Sequence, residues 1–223
     1  MRAAVVGAGG VGAAVAASLL DADVEVLRFS RAGLDGRIDV TDERSVALAA
    51  ADVGPLDLLF VATGLLHDGD VQPEKSLAAL DPDAMMRLYQ VNAIGPALVA
   101  KHFLPHLARG RKAVFAALSA RVGSIGDNRL GGWHSYRASK AALNMLIRNI
   151  AIELGRRNKT AIAVGLHPGT VDTALSAPFQ KNVPKGGLFT PERSAEALLS
   201  VIDGLKVEDS GGLFAWDGQR IPE

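Results

Sequence analysis

Short apolar, β-branched runs alternate along the chain with longer alanine- and leucine-rich stretches whose apolar residues have helical spacing. This alternation is typical of parallel strands joined by crossover helices. It predicts an α/β fold with one mostly parallel, doubly wound sheet and helices on both faces. The seven predicted strands are Ala3–Val6, Val24–Arg28, Arg37–Asp39, Leu56–Ala62, Lys112–Leu118, Thr160–Leu166 and Leu213–Ala215. The predicted helices are Gly10–Leu20, Thr41–Ala51, Pro82–Leu107, Ser135–Leu154 and Pro191–Leu205, with Thr41 and Thr190 as N-caps.

The domain organisation follows from length and composition. No internal repeat or linker-like change in composition divides the 223 residues, so we expect one domain over 1–223. Hydrophobic residues make up 48% and charged residues 22%, which excludes disorder of the whole chain. The longest aperiodic segments, 121–133 and 170–189, are predicted to be loops that wall a substrate.

The charge balance limits the classes of partner. The 24 lysines and arginines equal the 24 aspartates and glutamates, so net charge gives no reason to expect a nucleic-acid or membrane partner.

The chain has no cysteine, which excludes disulfides and thiolate chemistry and favours a cytoplasmic protein. Residues 3–20 carry no charge, but four glycines interrupt them, which argues against a signal peptide or membrane span. His102 and His106 are separated by Pro105 and have no adjacent glutamate, so we expect no metal site.

A glycine-rich turn lies between the first predicted strand and helix. Gly7, Gly9 and Gly12 form Gly-x-Gly-x-x-Gly. Such glycines permit a tight turn and close approach of a diphosphate, and the start of the helix favours its negative charge. The turn predicts a dinucleotide site, with glycine packing in an α/β fold that binds no nucleotide as the alternative.

Basic residues follow the second predicted strand, where an NAD-binding chain would carry a carboxylate. Arg28, Ser30 and Arg31 offer two guanidinium groups and a hydroxyl, which suit a 2′-phosphate. We therefore favour NADP over NAD, with an ordinary solvated loop as the alternative.

Tyr136 and Lys140 are four residues apart at the start of a predicted helix, hence on one helix face. A neighbouring ammonium favours phenolate, which lowers the tyrosine pKa from about 10 toward a range useful for proton exchange with a carbonyl or alcohol oxygen. A coincidental spacing on a surface helix is the alternative for the pair in isolation.

These motifs together resemble the short-chain dehydrogenase/reductase family over nearly the whole chain. The resemblance rests on the glycine turn, on Tyr136–Lys140 (YRASK), on Asn92–Gly95 (NAIG) and on Pro168–Thr173 (PGTVDT). The segments 128–136 and 176–184 resemble its C-factor-like branch, named for a bacterial cell–cell signalling protein. The family resemblance implies a Rossmann fold, a nicotinamide cofactor and a homo-oligomer, dimer or tetramer.

The resemblance also implies a role for each matching residue. Tyr136 would be the general acid/base, Lys140 its electrostatic partner and a ligand of the nicotinamide ribose, and Asn92 part of a water relay. Further cofactor contacts would come from Gly7, Gly9, Gly12, Asp39, Val40, Thr63, Gly64, Pro168, Gly169 and Thr173.

The sequence departs from the family pattern at three places. The glycine turn is one residue shorter, and Val61–Gly64 (VATG) replaces the usual Asn-Asn-Ala-Gly, leaving Thr63 to supply one hydroxyl. For the catalytic serine we favour Ser119 at the expected strand end, with Ser124 second. The segment can also be aligned so that Ala120 occupies that position, and either serine could be a turn hydroxyl.

The sequence thus predicts reversible hydride transfer between NADP or NAD and a small-molecule carbonyl or secondary alcohol, with Tyr136 as the acid/base and Ser119 hydrogen-bonded to the developing alkoxide. Trp133, Phe179 and Phe189 are candidates for an apolar pocket wall, with loop packing as the alternative. The competing function is a non-catalytic nucleotide-binding signalling or sensor protein.

Overall fold

The fold is a parallel sheet between two layers of helices, given by a computed structural model that describes residues 1–69 and 71–223. The strands are β1 (Arg2–Val6), β2 (Glu25–Ser30), β3 (Gly36–Arg37), β4 (Leu58–Val61), β5 (Ala113–Leu118), β6 (Ala161–His167), β7 (Thr170–Val171), β8 (Leu188–Phe189) and β9 (Leu213–Ala215). Seven of them form one sheet in the order β3-β2-β1-β4-β5-β6-β9, and every neighbouring pair is parallel. The order reverses between β1 and β4, as in Rossmann folds, so the predicted fold class is confirmed.

The helices are α1 (Gly10–Asp21), α2 (Glu43–Ala50), α3 (Pro82–Tyr89), α4 (Gly95–Phe103), α5 (His134–Arg157) and α6 (Pro191–Gly204). None of the helices among the described residues combines the length and apolarity needed to cross a membrane.

Both faces of the sheet are buried. In β5, Phe115 packs in the layer that contains α5 residues, whereas Val114 packs in the layer that contains α1 and α6 residues. Burial on both faces explains why β4 is four consecutive buried apolar residues instead of an alternating pattern. Full burial of a side chain such as Phe115 stabilises the fold by about 1.5–3 kcal/mol.

The long helix predicted over Pro82–Leu107 is interrupted. A π-helical turn, Gln90–Ile94, joins α3 to α4, and the Gly95 amide donates to the Gln90 carbonyl. Pro96 has no N–H, so the α-helical hydrogen bond to the Asn92 carbonyl cannot form there. The interruption lies at Asn92, a predicted site residue.

Two N-cap predictions had different outcomes. Thr190 caps α6 by accepting the Arg193 amide, as predicted. The prediction for α2 was wrong, because Asp42 is the cap and accepts the Arg44 amide at 3.0 Å. Thr41 is instead hydrogen-bonded to Asp39.

The segment 170–189 contains more structure than predicted. Its ends pair as the short parallel strands β7 and β8, and a 3-10 helix covers Ala177–Asn182. The segment is therefore a loop whose two ends are hydrogen-bonded to each other. It begins three residues after β6, at the carboxyl edge of the sheet.

Candidate active site

Tyr136 and Lys140 share the inward face of the first turns of α5. Their exposed fractions are 7% and 3%, and the Lys140 Nζ lies 5.9 Å from the centroid of the tyrosine ring. The Lys140 ammonium donates to the Leu118 carbonyl at the end of β5 at 2.8 Å. The two residues share one helix face, as their spacing predicted, and the contact with Leu118 holds them at the carboxyl edge of the sheet.

The pKa shifts of this pair have a different cause from the one expected. Burial raises the pKa of Tyr136 to about 12 and lowers the pKa of Lys140 to about 8. The expectation that Lys140 lowers the tyrosine pKa is therefore wrong in direction for the protein alone. Burial is the cause of both shifts, because it disfavours the charged form of each group.

Asn92 is fixed to the loop after β4 by both ends of its amide. Its Oδ1 accepts the Leu65 amide at 2.7 Å, and its Nδ2 donates to the Leu65 carbonyl at 2.8 Å and to the Ser139 Oγ at 3.0 Å. Gly64 lies beside this link, since a Cβ there would be 3.7 Å from both Asn92 Oδ1 and Lys140 Nζ. Asn92, Gly64 and Lys140 are thus brought together.

The structure does not bring Ser119 to the tyrosine. Ser119 is 4% exposed and its hydroxyl donates to Asn144 Oδ1 at 2.6 Å. Asn144 is eight residues after Tyr136 on α5, so the two Cα atoms are about 12 Å apart along the helix axis at 1.5 Å per residue. This hydrogen bond ties Ser119, at the end of β5, to Asn144 on α5 instead of to the tyrosine, and a catalytic role for Ser119 stays a prediction.

Ala120 follows Ser119 and packs in the buried apolar cluster that contains Tyr136. The second choice, Ser124, donates to the Pro222 carbonyl and accepts the Asp127 amide at 3.0 Å, which places it against the C-terminal residues. The alignment left open in the sequence, with Ala120 at the serine position, is the one that the structure favours.

The glycine turn packs against the end of β4. Gly7 has φ +109°, which favours glycine, and a Cβ on Gly12 would overlap the Gly7 carbonyl oxygen and lie 2.8 Å from the Ala62 Cβ. A Cβ on Gly9 would have no neighbouring atom within 4 Å, and Gly9 gives α1 no side-chain cap. Gly9 therefore borders open space at the start of α1, where the free helix amides favour an anion.

The two arginines differ in their availability. Arg28 lies within β2, where its guanidinium pairs with Asp35 (Nε to Oδ2, 2.8 Å) and lowers the pKa of that carboxyl. Arg31 forms no salt bridge among the described residues and lies near enough to Asp39 to help lower its pKa. Ser30 Oγ is buried without a hydrogen-bond partner among those residues. A 2′-phosphate therefore fits Ser30 and Arg31, whereas the Arg28 guanidinium is already engaged by Asp35, and its contact with the cofactor stays a prediction.

Asp39 and Val40 follow β3 at the same edge. The Asp39 Oδ1 accepts from the Thr41 amide at 2.9 Å and the Thr41 hydroxyl at 2.7 Å, and these hydrogen bonds are the main cause of its lowered pKa. Val40 is buried against Gly95, where a Cβ would lie 2.9 Å from Val40 Cγ2. The contacts with Thr41 and Gly95 therefore fix Asp39 and Val40 near Arg31, which follows β2.

The loop after β6 closes the other side of the cleft. The Pro168 carbonyl accepts the Ser194 hydroxyl at 2.9 Å, and Gly169 has φ +80° with the Phe189 ring 3.1 Å from a hypothetical Cβ. A Cβ on Gly10 would overlap the Thr173 methyl, so Thr173 touches the start of α1. The loop after β6 and the glycine turn thus meet at the carboxyl edge of the sheet.

An aromatic wall borders the tyrosine. The Trp133 ring lies 6.2 Å from Tyr136 and 4.9 Å from Phe179, measured between centroids. Phe189 does not join it, because its ring packs on Trp216 at 4.7 Å. The sequence did not indicate two further contributors: His67, whose ring lies 5.7 Å from Phe179, and the buried Glu74, which contacts the start of α5.

The residues present fit a phosphorylated nicotinamide dinucleotide. Open amides at Gly9, an unpartnered buried hydroxyl on Ser30 and a cation at Arg31 without a salt bridge in the described part of the chain suit phosphates. Thr63 Oγ1 is a second buried hydroxyl without a hydrogen-bond partner among the described residues. Thr63 lies after β4, one residue before Gly64, which is next to Lys140. Together these groups follow one continuous edge from the end of β2 to the start of α5.

Comparisons with known proteins agree with this geometry. A family profile described as short chain dehydrogenase matches residues 34–184. The C-signal protein of Myxococcus xanthus is 37% identical over 147 residues, 66% of this chain and 83% of that protein. The 1-hydroxy-2-glutathionyl-2-methyl-3-butene dehydrogenase of Rhodococcus sp. (strain AD45) is 35% identical over 185 residues, 81% and 76% of the two chains. The NADPH-bound carbonyl reductase from chicken fatty liver superposes with a TM-score of 0.83 at 26% identity, covering 100% of this chain and 94% of that one.

Proposed function

Because the chain belongs to the short-chain dehydrogenase/reductase family of oxidoreductases, we propose that it transfers hydride reversibly between NADP and an apolar carbonyl compound or the matching secondary alcohol. The observation that carries the proposal is the buried Tyr136–Lys140 pair at the carboxyl edge of the sheet, joined through Gly64 to the loop beside the glycine turn. This is the edge at which doubly wound sheets bind nucleotides.

In the reductive direction Tyr136 is the proton donor. When bound, NADPH supplies the hydride that reduces the carbonyl carbon. The raised tyrosine pKa, about 12, keeps the phenol protonated at neutral pH, ready to protonate the carbonyl oxygen. The Lys140 ammonium, 5.9 Å from the ring, stabilises the negative charge that develops as that proton leaves.

The apolar surroundings of the tyrosine support the substrate class. Its cluster contains Leu66 and Ala120, with Val122, Trp133 and Phe179 packed against them. Such a wall favours a ring-bearing or branched ketone over a sugar, since hydroxyl groups would be buried without partners. The segments 121–133 and 170–189 would supply most of this wall.

For the cofactor we propose NADP over NAD, with Ser30 and Arg31 at the 2′-phosphate. The diphosphate would lie at Gly7, Gly9 and Gly12, and Lys140 and Thr173 would hold the nicotinamide end. The NADPH-bound chicken relative, which matches the whole chain, supports this choice.

The test combines cofactor titration with a carbonyl reduction screen on purified protein. We expect tighter binding of NADPH than NADH, turnover of aryl and branched ketones, and loss of about 10²–10⁴ in turnover for Tyr136→Phe with NADPH affinity kept. Unchanged turnover in Tyr136→Phe contradicts the assignment.

One observation favours a second candidate. Ala120 offers no hydroxyl beside the tyrosine, and the similarity to C-signal supports a non-catalytic nucleotide-binding signalling protein. NADPH binding without turnover of any carbonyl in the screen would favour this candidate over the reductase.

Assembly and location stay predictions. The homo-oligomer is implied by the family resemblance, and sedimentation velocity tests it. The cytoplasmic location is tested by cell fractionation.

A further inference from the structure

Glu74 is a buried carboxylate that contacts the start of α5 from 61 residues upstream. It is 6% exposed; its Oε2 accepts the Ser135 amide at 3.2 Å and its Oε1 accepts the Ser135 hydroxyl. No lysine or arginine pairs with it in the part of the chain that the structure describes. A buried carboxylate is costly without such hydrogen bonds, so this contact is specific.

The contact replaces a local helix cap. The first turn of α5 contains no acidic residue, and its N-cap, Trp133, makes no side-chain capping hydrogen bond. Glu74 therefore supplies the negative charge that the positive end of this 24-residue helix favours. Tyr136 is the next residue after Ser135, so the cap lies directly beside the proposed acid.

Glu74 also holds a strained residue. Trp133 has φ +51°, a left-handed conformation that is unfavourable for a bulky side chain, and its amide donates to the Glu74 carbonyl at 2.5 Å. Gly131 and Gly132, also at positive φ, lead into it. This conformation places the indole against the rings of Tyr136 and Phe179.

Resting on the proposed function, we propose that Glu74 is a positioning residue for the active site. Through its carbonyl and carboxylate it fixes Trp133 and the first turn of α5, and thereby sets both the placement of Tyr136 and the aromatic wall that selects ring-bearing carbonyl compounds. The structure joins these roles in one residue because the two hydrogen-bonded groups, the Trp133 amide and Ser135, flank His134 at the helix start.

The test uses a Trp216→Phe background, in which Trp133 is the only one of the two tryptophans left to report by fluorescence. Glu74→Ala and Glu74→Gln are compared for melting temperature, NADPH affinity, Trp133 emission, and kcat and KM for acetophenone and butan-2-one. Asp42→Ala, which removes the exposed carboxylate cap of α2, is the matched control for loss of a helix cap away from the site.

For Glu74→Ala we expect kcat/KM for acetophenone to fall about 10- to 100-fold, since small misplacements of reacting groups cost this much. The loss for butan-2-one should be smaller, and NADPH affinity should be unchanged. Glu74→Ala keeps the backbone carbonyl that accepts the Trp133 amide, so the red shift expected in Trp133 emission reports the loss of the carboxylate's anchor on Ser135. Glu74→Gln should recover most of the activity, because its amide oxygen still accepts a hydrogen bond from Ser135.

Glu74→Ala with parental emission and parental kcat/KM would overturn the proposal, even with a lower melting temperature, because a merely structural contact predicts that result. If Glu74→Ala does not fold, Glu74→Gln and Ser135→Ala carry the same comparison. If the parent reduces no carbonyl, the proposed function fails, whereas the emission of Trp133 still decides whether Glu74 holds it.

Discussion

Ser119 and Ala120 can be separated by two single substitutions with opposite expected effects. Ser119→Ala removes the hydroxyl that donates to Asn144 Oδ1 at 2.6 Å. A buried acceptor that loses its donor costs about 1–3 kcal/mol. At roughly 2–4 °C per kcal/mol for a domain of this size, the melting temperature should fall by roughly 2–12 °C. Turnover of the folded protein should stay within about threefold of the parent, since a group outside the reacting centre adds little to the barrier.

Ala120→Ser places a hydroxyl in the cluster that contains Tyr136. One aligned donor to a developing oxyanion is worth about 10²–10³ in kcat, so a partly aligned new serine should raise kcat by about tenfold. Ala120 has extended backbone dihedrals that serine adopts without strain, so a fall in melting temperature should come only from burying the new hydroxyl in this apolar cluster.

The assay is NADPH oxidation with a reactive ketone, read with thermal melting and NADPH titration on the same preparations. A hundredfold fall in kcat for Ser119→Ala, with melting temperature and NADPH affinity unchanged, would refute the reasoning and return Ser119 to the catalytic role. No gain in Ala120→Ser would remove Ala120 from the serine position.

Three further predictions follow from the site. In reduction, kcat/KM should be flat below pH 8 and fall above it, because Lys140, with its pKa lowered to about 8, loses its charge there; a flat pH profile to pH 10 contradicts this. Arg31→Ala should weaken NADPH binding about 10- to 100-fold through loss of a charge-assisted hydrogen bond, with NADH binding unchanged. Arg28→Ala should weaken NADPH binding less than about threefold, and equal losses of NADPH affinity in the two variants would refute the assignment of Arg31 to the 2′-phosphate. Gly12→Ala should lower the free energy of unfolding by about 1–3 kcal/mol through overlap with backbone, while Gly9→Ala should change it by less than about 0.5 kcal/mol; denaturant melts that give equal values would contradict the packing.

Local pattern was enough to predict the elements of the sheet. The seventh strand, Leu213–Ala215, has the predicted bounds, and the start of α1 at Gly10 also agrees. The prediction of one long helix over 82–107 was wrong in its middle. The helical spacing of apolar residues continues through this segment, but Pro96 changes the backbone hydrogen bonding there. The periodicity of apolar residues shows which helix face is buried. A π-helical turn changes the backbone hydrogen bonding but changes this periodicity little.

The fold class, the pairing of Tyr136 with Lys140 and the place of the glycine turn could all be predicted from the chain's own residues, because each depends on spacing within one segment. The three-dimensional structure adds that Ser119 is hydrogen-bonded to Asn144 on α5, that Ala120 packs with Tyr136, and that Arg28 is engaged by a carboxylate seven residues away. Arg28 is paired because Asp35 returns to it in space. Glu74 could not be predicted as part of the site, because its contact with Ser135 spans 61 residues. A local sequence pattern does not show which distant groups the crossover connections bring together.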